Sequence, residues 1–320
     1  MSGKHARHRP RWFYMVMGVV SAMALAFLGF LSPTGAAAAD TFPSQDACHT
    51  TNNATPAGNC GPFHQLYRDS FNPGGVVAAV PLGKFSSCGG DGDFKCAGLK
   101  ASYPHYYATL GAYPNGWPDT AGNPNEHRGR TIGGNYDPPT TVSVLKSSTG
   151  DGIMRVHMWH EGAGTAAEPA GVNHVAAPVP LKCMGLRYGK FTERFRLSAR
   201  TPGYKLAHLR YTPNEVDYPE AGGNFSGDPI SEFTHGFAES GADAAPNSAW
   251  TQYHTYSTEL VPGHIRFYFD GKLFRTVNAD FPDKADWILQ NESALAGGYA
   301  AKGSSVDVDT SWLTCYSYAP

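Results

Sequence analysis

The chain has 320 residues, with 25 Lys and Arg, 27 Asp and Glu, and only 16% charged residues overall. Four of the basic residues (Lys4, Arg7, Arg9 and Arg11) lie at the very start, so the remainder carries a net charge near −6, which excludes a nucleic-acid binder by charge. Few charges beside 37 Gly, 24 Pro and 12% aromatic residues point to an all-β protein rich in turns.

Residues 1–39 read as a secretory signal peptide: a basic start, an apolar run from Trp12 to Leu31, then small residues up to Ala39. The run exceeds the usual ~7–15 residues of such a signal, so an uncleaved anchor is the alternative. No later segment is apolar enough to span a membrane, and a secreted, extracellular protein without membrane association is expected after cleavage. Residues 40–64, rich in Thr, Asn, Pro and Cys, read as a cysteine-containing N-terminal arm. Residues 65–320 read as one domain without internal repeats. Cys48, Cys60, Cys88, Cys96, Cys183 and Cys315 all follow the signal, and an even count in an exported chain favours three disulfides. Short loops favour Cys48–Cys60 and Cys88–Cys96, which leaves Cys183–Cys315. None of these pairs has zinc spacing.

Residues 101–139, dominated by Tyr, Pro, Gly and Asn, read as loop. Strand patterns follow. Thr141–Lys146 alternates, and Ile153–Trp159 sets Ile153 and His157 against Met154, Val156 and Met158. Arg187–Ser198 sets Phe191, Phe195 and Leu197 against Thr192, Arg194 and Arg196. His264–Phe274 reads as a hairpin whose Asp270-Gly271 fits a type I′ turn. Ser305–Tyr318 reads as a closing strand, and no amphipathic helix emerges. Two packed antiparallel sheets are expected.

Between these strands lies Glu215-Val216-Asp217-Tyr218-Pro219-Glu220, three carboxylates within six residues in a segment that otherwise reads as a strand. Strands are poor in acidic residues, so a solvated edge or a calcium site is the plain alternative, although calcium ligands usually come from loops. In a strand Glu215 and Asp217 share a face. Glu220 joins them only if a bulge adds one residue, and Pro219, lacking an N–H, sits where such a break is tolerated. Two carboxylates on one face suit cleavage of a glycosidic bond, one attacking the sugar carbon and one protonating the leaving oxygen, at the roughly 5–5.5 Å separation of retaining enzymes. Asp217 is placed to share a proton with Glu215 and separate the two pKa values.

The chain resembles glycoside hydrolase family 16, the laminarinase and lichenase relatives. Glu215–Glu220 is similar to the family's bulged active-site strand. Leu66-Tyr67-Arg68-Asp69-Ser70-Phe71 resembles its opening strand, and Tyr188-Gly189-Lys190-Phe191 its Tyr-Gly-x-aromatic strand. His254-Thr255-Tyr256 with the Asp270-Gly271 hairpin, and Ser305–Tyr316, resemble its later strands. Gly116-Trp117-Pro118-Asp119-Thr120 is similar to a branch of secreted actinobacterial members. The resemblance implies a β-jelly roll, a sandwich of two curved antiparallel sheets of the concanavalin A-like kind, with the substrate in a cleft on the concave sheet. It implies a retaining, endo-acting hydrolase of β-linked polysaccharide, most simply a β-1,3- or mixed-linkage β-glucan. It gives Glu215 as nucleophile, Glu220 as acid/base and Asp217 as helper. A binding jelly roll without cleavage, or a transglycosylase, are the alternatives. No cofactor is required for such chemistry and a monomer is expected; a structural calcium is common in the family, but the sequence identifies no metal ligands. The chain departs from the family at Asn214, where Gly is usual, and in the preceding Leu206–Pro213, where a Trp-rich strand is usual.

Sugars stack on aromatic faces and bond to planar polar groups, which gives further candidates for substrate binding. Trp117 is a candidate platform or a loop anchor. His208 and Tyr211 precede the motif, and one of the two is expected to face the cleft. His235 lies on the next strand. In Trp287–Glu292, alternation puts Trp287, Leu289 and Asn291 on one face and Ile288, Gln290 and Glu292 on the other, so Gln290 and Glu292 are candidate sugar contacts. Arg210 suits an anionic substrate or a local carboxylate.

Overall fold

A computed structural model of the chain describes residue 48 and residues 54–72, 79–90, 92–123, 133–146, 152–162, 171–212, 214–237 and 241–320. All of these belong to one compact unit, Pro43–Pro320. The expected signal peptide, 1–39, and much of the expected arm lie outside the described residues. Among the described residues no helix is long and apolar enough to cross a membrane.

The strands, in chain order, are β1 (Phe63–Asp69), β2 (Leu110–Ala112), β3 (Gly134–Tyr136), β4 (Val142–Lys146), β5 (Gly152–His160), β6 (Asn173–Val175), β7 (Pro178–Pro180) and β8 (Gly189–Leu197). They continue as β9 (Tyr204–Tyr211), β10 (Glu215–Glu220), β11 (Ile230–His235), β12 (Ala242–Ala245), β13 (His254–Val261), β14 (His264–Phe269), β15 (Lys272–Val277), β16 (Asp286–Ser293) and β17 (Ser305–Tyr318). A ten-stranded sheet runs β15-β14-β13-β8-β17-β5-β6-β3, with β1 beside β17 and β4 beside β5. A five-stranded sheet runs β12-β11-β10-β9-β16. Pairing is antiparallel except between β3 and β6. This is the all-β, jelly-roll sandwich expected from the sequence.

The expected strands appear with the expected faces. In β5, Met154, Val156 and Met158 are buried while Ile153, Arg155 and His157 are half-exposed. β14 and β15 close through Asp270-Gly271, both at positive φ (47° and 73°), as a type I′ turn requires. The region 101–139 is not wholly loop. It contains a helix, α1 (Pro104–Thr109), started by a proline at its first turn, with β2 and β3. These elements are too short to show a period in sequence; they exist because β2 pairs with β7 and β3 with β6.

The two sheets meet through large apolar side chains. Phe191 of β8 packs edge-on to Trp287 of β16 at 5.7 Å, and Tyr218 of β10 meets Tyr256 and Phe267 at 5.9 and 5.6 Å. Trp287 is buried, and truncating a buried Trp to Ala typically costs about 3–5 kcal/mol. The disulfides are Cys48–Cys60, Cys88–Cys96 and Cys183–Cys315. The last ties the turn after β7 to β17, the strand between β8 and β5.

Candidate active site

The site grows out of a register shift in β10. Against β11, Glu215 faces His235, Asp217 faces Phe233 and Glu220 faces Ser231. Against β9, the same three residues face Tyr211, Leu209 and Ala207. From Asp217 to Glu220 is three residues, while each neighbour advances two, so β10 carries one extra residue there. The bulge falls at Tyr218-Pro219, a cis peptide. It restores the phase, so Glu215, Asp217 and Glu220 all point away from the core. Tyr218 points the other way, its hydroxyl donating to the Tyr268 carbonyl at 3.0 Å.

Cross-strand register builds the rest of the face. β9 presents Lys205, Ala207, Leu209 and Tyr211, and β16 presents Asp286, Ile288, Gln290 and Glu292 opposite them. β11 adds Ser231, Phe233 and His235. His235 Nε2 lies 3.0 Å from Asp217 Oδ2, with its ring 46% exposed and Asp217 almost fully covered. Lys205 Nζ lies 3.3 Å from Glu292 Oε2 and 3.8 Å from Glu220 Oε1, all three buried.

Burial and crowding shift the three carboxyls of β10 upward. Burial, then Asp217, pushes Glu215 up to about 9. Burial, then Glu220, raises Asp217 well above the carboxylate range. Glu220 is pushed up to about 7 by burial, held in check by Lys205 and His235. Burial alone would lower the Lys205 ammonium, but Glu292, Glu220 and Asp217 outweigh it and keep it charged. One or two protons therefore stay on the carboxyl cluster at neutral pH, as acid–base work between paired carboxylates needs.

The sequence candidates divide by face. Tyr211, 56% exposed, lies on the side of Glu215, and His235 and the half-buried Gln290 lie on that side too. Gln290 neighbours Tyr113, whose ring meets the half-buried Trp117 edge-on at 5.6 Å. Trp117 also anchors its loop, its carbonyl accepting from Tyr136 N–H at 2.8 Å.

Three expectations need correction. His208 does not face the site. It alternates with Ala207 and Leu209, so it lies between the sheets, 1% exposed, with Nδ1 2.7 Å from Glu193 Oε1 and its ring beside Phe195. Arg210 shares that inner face, stacked on Phe191 and Trp287 at 3.8 and 4.6 Å, so it is no partner for an anionic substrate. Glu292 points the expected way but is fully covered. Its Oε1 accepts from Thr120 Oγ1 at 3.1 Å and from the Tyr136 hydroxyl, and its Oε2 faces Lys205, so it holds a buried cation and contacts no sugar.

Sequence reasoning missed Lys205, Tyr113, Tyr136 and Asp119. Asp119 is buried and accepts from the Gly122, Gly134 and Ser293 amides at 2.7, 2.8 and 2.8 Å, fastening the 113–123 loop over β16. A lone lysine in the apolar run Tyr204–Leu209 was the available signal. Its meaning depends on the register of β9 against β16, which sequence does not display.

Among the described residues, Glu215, Asp217 and His235 form a group able to approach one metal ion, with donor atoms within 4.8 Å of one another. The buried ammonium of Lys205 also supplies positive charge to Glu215 and Asp217.

Comparison with known proteins bears on the fold and the family. The profile of glycosyl hydrolases family 16 matches residues 185–313, which span β8 to most of β17. No curated protein matches the chain. Among solved structures, a glycoside hydrolase family protein from Mycobacterium thermorestibile is 18% identical, with a TM-score of 0.53 over 78% of this chain and 99% of that one. A variant of a non-specific endo-β-1,3(4)-glucanase of family GH16, crystallised with 1,3-β-D-cellobiosyl-cellobiose, is 15% identical, with a TM-score of 0.53 over 82% and 98%. A family 16 glycosyl hydrolase from Mycobacterium smegmatis is 16% identical, with a TM-score of 0.51 over 78% and 99%.

Proposed function

We propose that this chain, a member of glycoside hydrolase family 16, is a secreted retaining endo-glycosidase that cleaves internal linkages of a β-1,3- or mixed-linkage β-glucan. The observation that carries the reading is the bulge in β10, which brings Glu215, Asp217 and Glu220 onto one face of the sheet. The β-glucan assignment is supported by the fold shared with an endo-β-1,3(4)-glucanase. Export is supported by the three disulfides.

In this reading Glu215 attacks the anomeric carbon and Glu220 protonates the leaving oxygen. A covalent glycosyl–enzyme ester forms, and Glu220, now ionised, takes a proton from the water that hydrolyses it. Glu215 must be anionic to attack. Asp217, 2% exposed, is more deeply buried than the half-buried Glu215, so charge is costlier on Asp217 and it holds the proton the two share. From there it can donate to the Glu215 carboxylate. Glu220, lifted towards neutrality, is protonated at mildly acidic pH. Tyr211, Gln290 and His235 flank the carboxylates and are the groups placed to touch sugar.

A panel of laminarin, lichenan, agarose, carrageenan, xyloglucan and galactan, scored by product size, tests both cleavage and linkage. Internal cuts in laminarin or lichenan are expected. Glu215→Gln should lower turnover by at least about a thousandfold with folding intact, and Glu220→Ala should recover with good leaving groups or azide. Substantial turnover of polymer by Glu215→Gln would remove the nucleophile assignment.

A further inference from the structure

Buried lysines are rare, and a lysine with no partner in an apolar site loses its proton. Lys205 sits on β9 directly opposite Glu292 of β16, one pleat beyond the Ala207–Gln290 pair that lies level with Glu220. Glu292 cannot swing away, because Thr120 and Tyr136 hold its other oxygen. Tyr136 is kept neutral, and so a donor, by burial and then by Glu292 itself. The ammonium therefore rests 3.3 Å from a fixed anion and 3.8 Å from Glu220.

A buried ion pair is a weak source of stability; well-packed apolar residues often serve as well or better. Its value here lies in the neighbour it faces. We infer that Lys205 and Glu292 form a positioning pair that sets the charge felt by Glu220, and through it the pH range in which Glu220 holds the proton it delivers.

The inference rests on the acid/base role proposed for Glu220. The charged and titratable groups around it come from every packed element. β10 itself contributes Glu215 and Asp217, β11 contributes His235, and β16 contributes Glu292. Asp119 and Tyr136 lie on the far side of Glu292. Asp243 of β12 is engaged by Ser231, and Asp228 by the Gly223 and Asn224 amides. Among the described residues Lys205 is the one buried ammonium in this set. It opposes the anions, and Glu292 offsets part of its effect.

Two variants should therefore move the alkaline limb of kcat/KM in opposite directions. Glu292→Gln removes an anion that both raises Glu220 and engages Lys205, so the limb should move to lower pH, on the order of one unit. Lys205→Met combined with Glu292→Gln removes the cation as well, and the limb should move above that of the parent. A purely structural pair would change stability or overall rate without opposite shifts. Limbs that stay put, or move the same way, would overturn the inference. Carboxyl ¹³C titration of Glu220 in the same variants reads the same shifts where turnover is too low to measure. In the unmodified protein the Lys205 side-chain carbons should show no titration through about pH 10.4, where a free lysine is half deprotonated; titration at or below that value would also overturn it. A parent protein that cleaves none of the glycans while Lys205 and Glu220 titrate as stated would instead sink the catalytic reading and leave the charge coupling standing.

Discussion

Glu215 and Asp217 offer carboxylate oxygens within 4.8 Å of each other. At an effective dielectric constant of about 20, two unit charges at that distance repel by about 3.5 kcal/mol, equivalent to about 2.5 pKa units. The pair should thus release its protons in two steps at least about 2 units apart, each step belonging to the pair and not to one residue. Burial raises both steps. Asp217→Asn should delete the upper step. The lower step should move by less than about half a unit, because the first proton leaves beside a neutral neighbour in both proteins. The assay is carboxyl ¹³C NMR of labelled Glu and Asp, in a Glu220→Gln background that silences the third acid. Steps less than one unit apart, or survival of the upper step in Asp217→Asn, would refute the reasoning. The catalytic plateau should open above the lower step, where the pair holds one proton, and close where Glu220 loses the proton it delivers.

Three further outcomes follow from the same geometry. A carboxyl raised by burial binds a proton in the folded state after the unfolded chain has lost it, so stability falls as pH rises from the unfolded pKa towards the folded one; Asp217→Asn should therefore gain thermal stability over the parent at pH 8 but not at pH 4, and an equal difference at both would contradict this. Cys183 and Cys315 are 132 residues apart, a loop whose closure the chain-entropy account values at about 5 kcal/mol; replacing both by Ala should cost about 3–5 kcal/mol in urea unfolding, and a loss below about 1 kcal/mol would count against it. His208→Ala leaves Glu193 buried without its partner and should cost about 3–5 kcal/mol, whereas Tyr211→Ala should raise KM several-fold with stability changed by no more than about 0.5 kcal/mol; the reverse pattern would mean the two faces are misassigned.

Much of this molecule was legible one residue at a time. The alternation in Ile153–Trp159, the Asp270-Gly271 turn and the closing strand Ser305–Tyr318 each follow from a period of two or a required φ, which are local properties. Pro219 announced the bulge, because a residue without an N–H marks where a ladder breaks. That much set the three carboxylates on one face. What alternation cannot give is which face of a strand looks outward, and how far one strand is displaced along the next. His208 and Tyr211 differ by an odd number, so they had to part; only the packing of β9 on β8 showed that His208 goes in to Glu193 and Tyr211 out to Glu215. Glu292 pointed as expected, yet whether it met solvent depended on a loop held down by Asp119, whose bond to the Ser293 amide spans 174 residues. Lys205 meets Glu292 and Glu220 through register across three strands. Side-chain chemistry was written in the sequence, whereas the depth at which each charge sits, and the charge it sits beside, came from packing that is non-local.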